Sequence, residues 1–191
     1  MSLDEAYAAS SVEIVWYTAM SMDGRIASAE NSLDFLETLT GSGGDDFKPF
    51  IADVDAVLVG AATLRWLVDH GHGWPHDDLP TWLASHDEAL ADSVRPTRAP
   101  LVRVTGDLLP AIESIEDGGH RRVWLAGGGS VAAQVLALDR LDEGIVTIAP
   151  TALGAGPALF DARQLRQRTF DLVECRSIGR AARLRWVRRG Q

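Results

Sequence analysis

The chain has 191 residues, 46% of them hydrophobic and 24% charged, with a formal net charge of −9. This balance suits one globular domain and excludes a disordered or fibrous chain. No apolar run approaches the roughly 20 residues of a membrane helix, and the acidic start Met1–Glu13 lacks a secretory pattern, so a cytoplasmic location is expected. Cys175 is the single cysteine, which excludes an internal disulfide framework and a cysteine-ligated zinc. Residues 1–11 read as a flexible N-terminal extension and 12–191 as one domain.

Charge is unevenly spread. Residues 1–162 carry 9 basic against 25 acidic residues, and residues 163–191 carry nine arginines against Asp171 and Glu174. Arg183, Arg185 and Arg189, set among Leu184 and Trp186, predict the exposed face of a strand. The acidic remainder would repel phosphate backbones, so neither nucleic acid nor membrane is an expected partner.

Glu13–Ala19, rich in β-branched and aromatic residues, predicts a buried first strand running into the turn Ser21-Met22-Asp23-Gly24. Asp45 and Asp46 suit the cap of a helix over Phe47–Ala52. Asp55–Gly60 predicts a second strand, Thr63–Val68 a helix, and His70–Pro80 a solvated loop. Trp82–Val94 is expected to be helical and to end at Pro96. Leu101–Thr105, Arg122–Ala126 and Gly144–Ala149 predict three more strands, with a helix over Val131–Leu138. Thr169–Arg176 and Arg183–Arg188 close the chain as an antiparallel hairpin. Strands alternating with helices predict an α/β fold with a mixed, mostly parallel sheet flanked by helices.

The strongest chemical signal is a strand, then Gly127-Gly128-Gly129-Ser130, then a helix. Glycines admit a ligand to the backbone, and a helix N-terminus offers free N–H groups to phosphate. Gly127–Ala132 fits a dinucleotide fingerprint, but the following strand brings no acidic residue for a ribose. A ligand loop and a plain glycine-rich connection both remain open. Gly60-Ala61-Ala62-Thr63 and Thr105-Gly106 end two further strands, the place where open α/β sheets collect ligands.

Ala19-Met20-Ser21-Met22-Asp23-Gly24-Arg25-Ile26-Ala27 resembles the opening A-x-S-x-D-G-x-I-A of the riboflavin-pathway pyrimidine reductases. These form the C-terminal domain of the bifunctional deaminase-reductase, within the dihydrofolate reductase-like superfamily. Asp55–Thr63 is similar to their D-A-[IV]-L-x-G-x-x-T, and Pro100–Thr105 with Leu108-Leu109-Pro110 to their third-strand segment. Val123–Gly129, Leu141-Asp142-Glu143, Ala149-Pro150, Leu153–Gly156 and Leu159-Phe160 resemble the remaining blocks in order. The resemblance implies a dihydrofolate reductase-like fold that binds NADPH and transfers hydride to a heterocycle. It places Ala19, Gly60, Thr63, Thr105, Gly106, Gly127, Gly128, Gly129, Ser130 and Val131 at the cofactor. It also places Ser21, Gly24, Arg25 and Asn31 at a small heterocyclic substrate.

Two positions depart from the pattern. Ala126 stands where the riboflavin enzymes carry an acidic residue. Ala61 stands where dihydrofolate reductases carry an arginine, which leaves NADH open beside NADPH. Dihydrofolate reduction and dinucleotide binding without catalysis are the rival readings.

Asp23 and Asp45 are the catalytic candidates: Asp23 to polarise substrate, Asp45 (or Asp46) to supply a proton. Each has a structural alternative, a turn bond for Asp23 and a helix cap for the other two. Asp142-Glu143 reads as a turn before a strand. His70, His72 and His76 lack any spacing that would fix two imidazoles on one face, so no metal is expected. Ser21 and Ser130 lack a nucleophile elbow, Cys175 reads as inert core, and Trp16, Trp124 and Trp186 as core or interface. The charge asymmetry and the terminal hairpin together predict a homodimer joined through residues 169–188.

Overall fold

The computed structural model describes residues 11–39, 47–160 and 167–189. Expectations for Asp45, Asp46 and the first ten residues lie outside these. Eight strands form one sheet: β1 (Glu13–Ser21), β2 (Ala56–Gly60), β3 (Thr81–Ala84), β4 (Leu101–Val104), β5 (Arg122–Ala126), β6 (Glu143–Ala149), β7 (Phe170–Ile178) and β8 (Ala181–Arg188). Their order is β4-β3-β2-β5-β1-β6-β8-β7. The first six are mutually parallel, and β8 and β7 close the sheet antiparallel. The predicted α/β architecture and terminal hairpin are both present.

Among the described residues five α-helices cover the sheet: α1 (Phe47–Ala52), α2 (Ala61–Asp69), α3 (Glu88–Asp92), α4 (Leu109–Asp117) and α5 (Gly129–Ala137). Alternation along the strands divides the core in two. Ile14, Trp16, Leu58, Val123 and Leu125 face Ile112 and Ile115 of α4 and Ala132 and Val135 of α5. Val15, Val57, Val59 and Leu83 face the other way, onto Phe50 of α1, Leu64 of α2 and Leu90 of α3. Central strands buried on both faces carry continuous apolar runs; all five residues of β2 are buried.

The segment expected to be one helix over Trp82–Val94 is instead strand β3 followed by the short helix α3. Trp82 pairs with Leu58 on one side and Val102 on the other, and Asp87 caps α3 through the Leu90 N–H at 3.3 Å. Helix α4 has no counterpart among the sequence expectations; Pro110 stands in its first turn, where a missing N–H costs nothing.

Three side-chain expectations are also corrected. Cys175 is exposed, because its apolar stretch is an edge strand. The loop before β3 is not merely solvated: Trp74 is buried, and His76 packs edge-on against Phe47, Trp74 and Trp124. Arg183 and Arg185 do not lie on a plain exposed face. Arg185 makes a two-point ion pair at 2.6 and 3.0 Å with Glu143, which is buried, and Arg183 stands 5.0 Å over the Tyr17 ring.

Leu58 touches the core from the middle of the sheet and is fully buried. Leu58→Ala should lower unfolding stability by about 3 kcal/mol, read as a shift of the urea midpoint at constant slope.

Candidate functional site

Strands β2 and β5 are hydrogen-bonded neighbours. The helix after β2 packs on one face of the sheet, and the helix after β5 packs on the other. A crevice therefore opens beyond their carboxyl ends, where the connections part to opposite faces. Gly60 is the N-cap of α2 and Gly128 the N-cap of α5, and neither helix start is capped by a side chain. Backbone N–H groups at both starts are thus left to a ligand or to water.

The glycines differ in what they allow. A Cβ at Gly60 would stand 2.8 Å from Val131 Cγ2, and one at Gly127 would stand 3.3 Å from the Gly60 nitrogen. These two permit the close approach of β2, β5 and α5. A Cβ at Gly129 would collide with the Leu159 carbonyl at 2.4 Å, so that glycine answers to packing against Ala158–Leu159. At Gly128 the nearest atom to such a Cβ is Ile26 Cδ1 at 3.8 Å. Its backbone is extended at φ −69°, so nothing in the fold demands a glycine there. Trp16 fixes the loop from behind, its Nε1 donating to the Gly127 carbonyl at 3.1 Å. Ser130 is exposed and Val131 buried.

Ile26 belongs to the turn that follows β1, so the Asp23 segment borders the glycine loop. Ser21 Oγ donates to Asp23 Oδ1 at 2.5 Å and accepts the Arg25 N–H at 2.9 Å. The Leu153 and Gly154 N–H groups, 130 residues away in sequence, donate to the same carboxylate at 3.0 and 2.7 Å. These donors, Ser21 foremost and then the two amides, lower the Asp23 pKa from 3.8 to about 2. Asp23 is an ionised clamp at neutral pH and no proton donor. Gly24 takes φ 79° in this turn. Arg25 Nη1 donates to the Gly156 carbonyl at 3.0 Å, and its buried Nε has no partner among the described residues.

The other expected positions lie further out. Thr105 and Gly106 directly follow β4, which β3 separates from β2 by roughly 10 Å along the strand-spacing direction. Ser85, just after β3, is a buried hydroxyl between them; the sequence gives no sign of it, because Trp82–Val94 carries a helical pattern. Thr63 lies in the first turn of α2, and Ala19 on β1 pairs with Thr147. Asn31 is exposed, with φ 60°, in a turn closed by its N–H on the Ser28 carbonyl. Asp142 and Glu143 sit at the opposite, amino-terminal end of the sheet, where Asp142 accepts the Ile14 N–H at 2.8 Å.

The family model described as the RibD C-terminal domain matches residues 12–184. The chain belongs to this family. The fold of this RibD C-terminal domain is shared with solved structures. The uncharacterized protein YwjB of Bacillus subtilis (strain 168) is 28% identical over 175 residues, covering 91% of this chain and 97% of that one. A candidate riboflavin biosynthesis protein of Shewanella sp. PV-4 superposes with TM-score 0.78 at 22% identity, over 94% of this chain and all of that one. The Thermotoga maritima diaminohydroxyphosphoribosylaminopyrimidine deaminase/5-amino-6-(5-phosphoribosylamino)uracil reductase superposes with TM-score 0.71 at 15% identity. There the match covers 93% of this chain but 56% of the other. No described helix is long and apolar enough to cross a membrane.

The clamp has a pH signature. Because the folded-state pKa of Asp23 lies below its unfolded value, its stabilisation is present above roughly pH 4 and fades as pH falls toward about 2. Thermal melts of wild type and Asp23→Asn should differ most above that range and converge below it. A difference constant with pH would remove the clamp.

Proposed function

We propose that this RibD C-terminal domain is an NADPH-dependent reductase of a phosphoribosylated pyrimidine, 5-amino-6-(5-phosphoribosylamino)uracil or a close relative. The observation that carries this reading is the pair of uncapped helix starts facing one crevice, at Gly60 and Gly128. A dinucleotide fits such a place: its pyrophosphate needs backbone N–H donors and the absence of side chains. Gly128 leaves open space where a Cβ would point, and Gly60 and Gly127 let the chain draw close. Gly127 to Val131 would hold the pyrophosphate, while Gly60, Thr63, Thr105 and Gly106 would hold the adenosine end. The cofactor, when bound, supplies a hydride.

The chain's own part is to bind and orient. Asp23 accepts three hydrogen bonds from Ser21, Leu153 and Gly154, and a carboxylate has about four acceptor sites. The remaining one suits an N–H or hydroxyl of the substrate. The buried Arg25 Nε has no acceptor among the described residues, and the guanidinium would give the substrate's phosphate a cation. Since Asp23 stays ionised, the proton that accompanies hydride transfer comes from another group; Asp45 is the proposed source. The domain is proposed to act as a homodimer through β7 and β8, where Leu172 and Val173 stand exposed on the edge strand.

Gly128→Val should fold normally and weaken NADPH binding roughly tenfold or more, read by fluorescence titration. Unchanged affinity in the folded variant would remove the cofactor from this crevice. Gly129→Ala, in contrast, should fail by unfolding.

Light scattering at micromolar concentration should give twice the 20.6 kDa of the chain. A mass near the single-chain value ends the dimer reading.

A further inference from the structure

NADPH differs from NADH by a phosphate on the adenosine ribose, and such an anion calls for a cation. Thr63, Thr105 and Gly106, the residues proposed for the adenosine end, carry no charge, and Ala61 opens α2 with a methyl group. Arg65 follows Ala61 by four residues on the same helix, so the two share a face. Helical side chains lean toward the N-terminus and cover the turn before their own. Arg65 therefore reaches back over the first turn of α2, toward the carboxyl end of β2.

Its ion pair shows where the guanidinium lies. Arg65 Nη2 donates to Asp87 Oδ2 at 3.1 Å. Asp87 stands three residues beyond β3, and β3 runs parallel to β2 as its hydrogen-bonded neighbour. The guanidinium is thus held over the carboxyl ends of these two strands, the border of the sheet on which the crevice opens. In the order β4-β3-β2 it lies on the way from Gly60 to Thr105. Asp87 is itself fixed, its Oδ1 accepting the Leu90 N–H at 3.3 Å and its own N–H donating to Ser85 Oγ at 3.0 Å. Among the described residues the ion pair is the one polar contact of the Arg65 guanidinium, which leaves most of its N–H groups to a ligand or to water.

We propose that Arg65, steadied by Asp87, is the residue by which this chain selects a dinucleotide with a ribose phosphate over one with a free hydroxyl. This rests on the cofactor reading above and adds to it the group that sets cofactor choice. Both partners of the pair are about half exposed, where an ion pair is worth little, so Asp87 orients the cation at small cost to its charge. A guanidinium fork takes phosphate oxygens in pairs, and the greater charge of a phosphate favours it over a single carboxylate.

NADPH and NADH are the probes, titrated separately into the full chain and read by nucleotide fluorescence. Wild type should bind NADPH about tenfold more tightly. Arg65→Gln should abolish that preference by weakening NADPH alone, with NADH affinity as in wild type. Arg65→Lys keeps the charge without the fork and should retain the preference in part. Adenosine 2′,5′-bisphosphate against adenosine 5′-monophosphate, measured by calorimetry, should show the same preference and the same loss, which assigns the effect to the adenosine end. Added salt should narrow the gap, because the cation is half exposed. Gly128→Val, acting on the pyrophosphate that both dinucleotides share, should weaken the two alike. Equal binding of both to wild type, or a preference that survives Arg65→Gln, overturns the role of Arg65 and leaves the cofactor site standing. Binding of neither overturns both.

Discussion

The contact between Gly60 and Val131 sets the geometry from which the rest of the molecule follows. With a hydrogen where a Cβ would stand 2.8 Å from Val131 Cγ2, the end of β2 meets the start of α5. Without it, β5 could not lie beside β2 with its helix folded back over the opposite face. That packing sends α2 and α5 to different sides of the sheet and opens the crevice between them. It also brings two sets of unpaired helix N–H groups to one place, a partial positive charge assembled from backbone alone.

Asp23 works at the neighbouring strand end by a different means. Its carboxylate gathers a hydroxyl and two amides into a single knot that joins the turn after β1 to Leu153–Gly154. An exposed ion is worth little by Coulomb attraction in water. Its value lies in direction: the two amides have their acceptor supplied, and the turn is presented to the crevice in one conformation. Arg25 extends the same logic on the other side, tying the turn to Gly156. The positioning of this strand end is thus concentrated in one short segment.

Much of this was legible in the sequence because buried parallel strands announce themselves as short apolar runs between glycines, as in Asp55–Gly60 and Gly144–Ala149. Strand β3 was not, since Thr81–Ala84 flows into the helical residues Glu88–Asp92 with only Ser85-His86-Asp87 between, and the pairing with β2 and β4 is a tertiary fact. Helix α4 was hidden by Pro110, which looks like a breaker until its place in the first turn is known. The glycine loop was visible as a motif, but which glycine serves packing and which leaves space depends on Leu159 and Ile26. The amides that hold Asp23 left no local mark. Cys175 and the arginines of β8 misled because an edge strand and a half-covered one share a pattern with their buried and exposed counterparts.

The two borders of the sheet are unequal. At one end β4 is four residues long, and Arg95 Nη2 occupies the Leu101 carbonyl at 3.0 Å. At the other, β7 runs for nine residues with a bulge between Leu172 and Glu174. The short border with its occupied carbonyl gives a second chain little to pair with, and the bulge interrupts the regular ladder of the long one, so the two borders are blunted against open-ended polymerisation by different means.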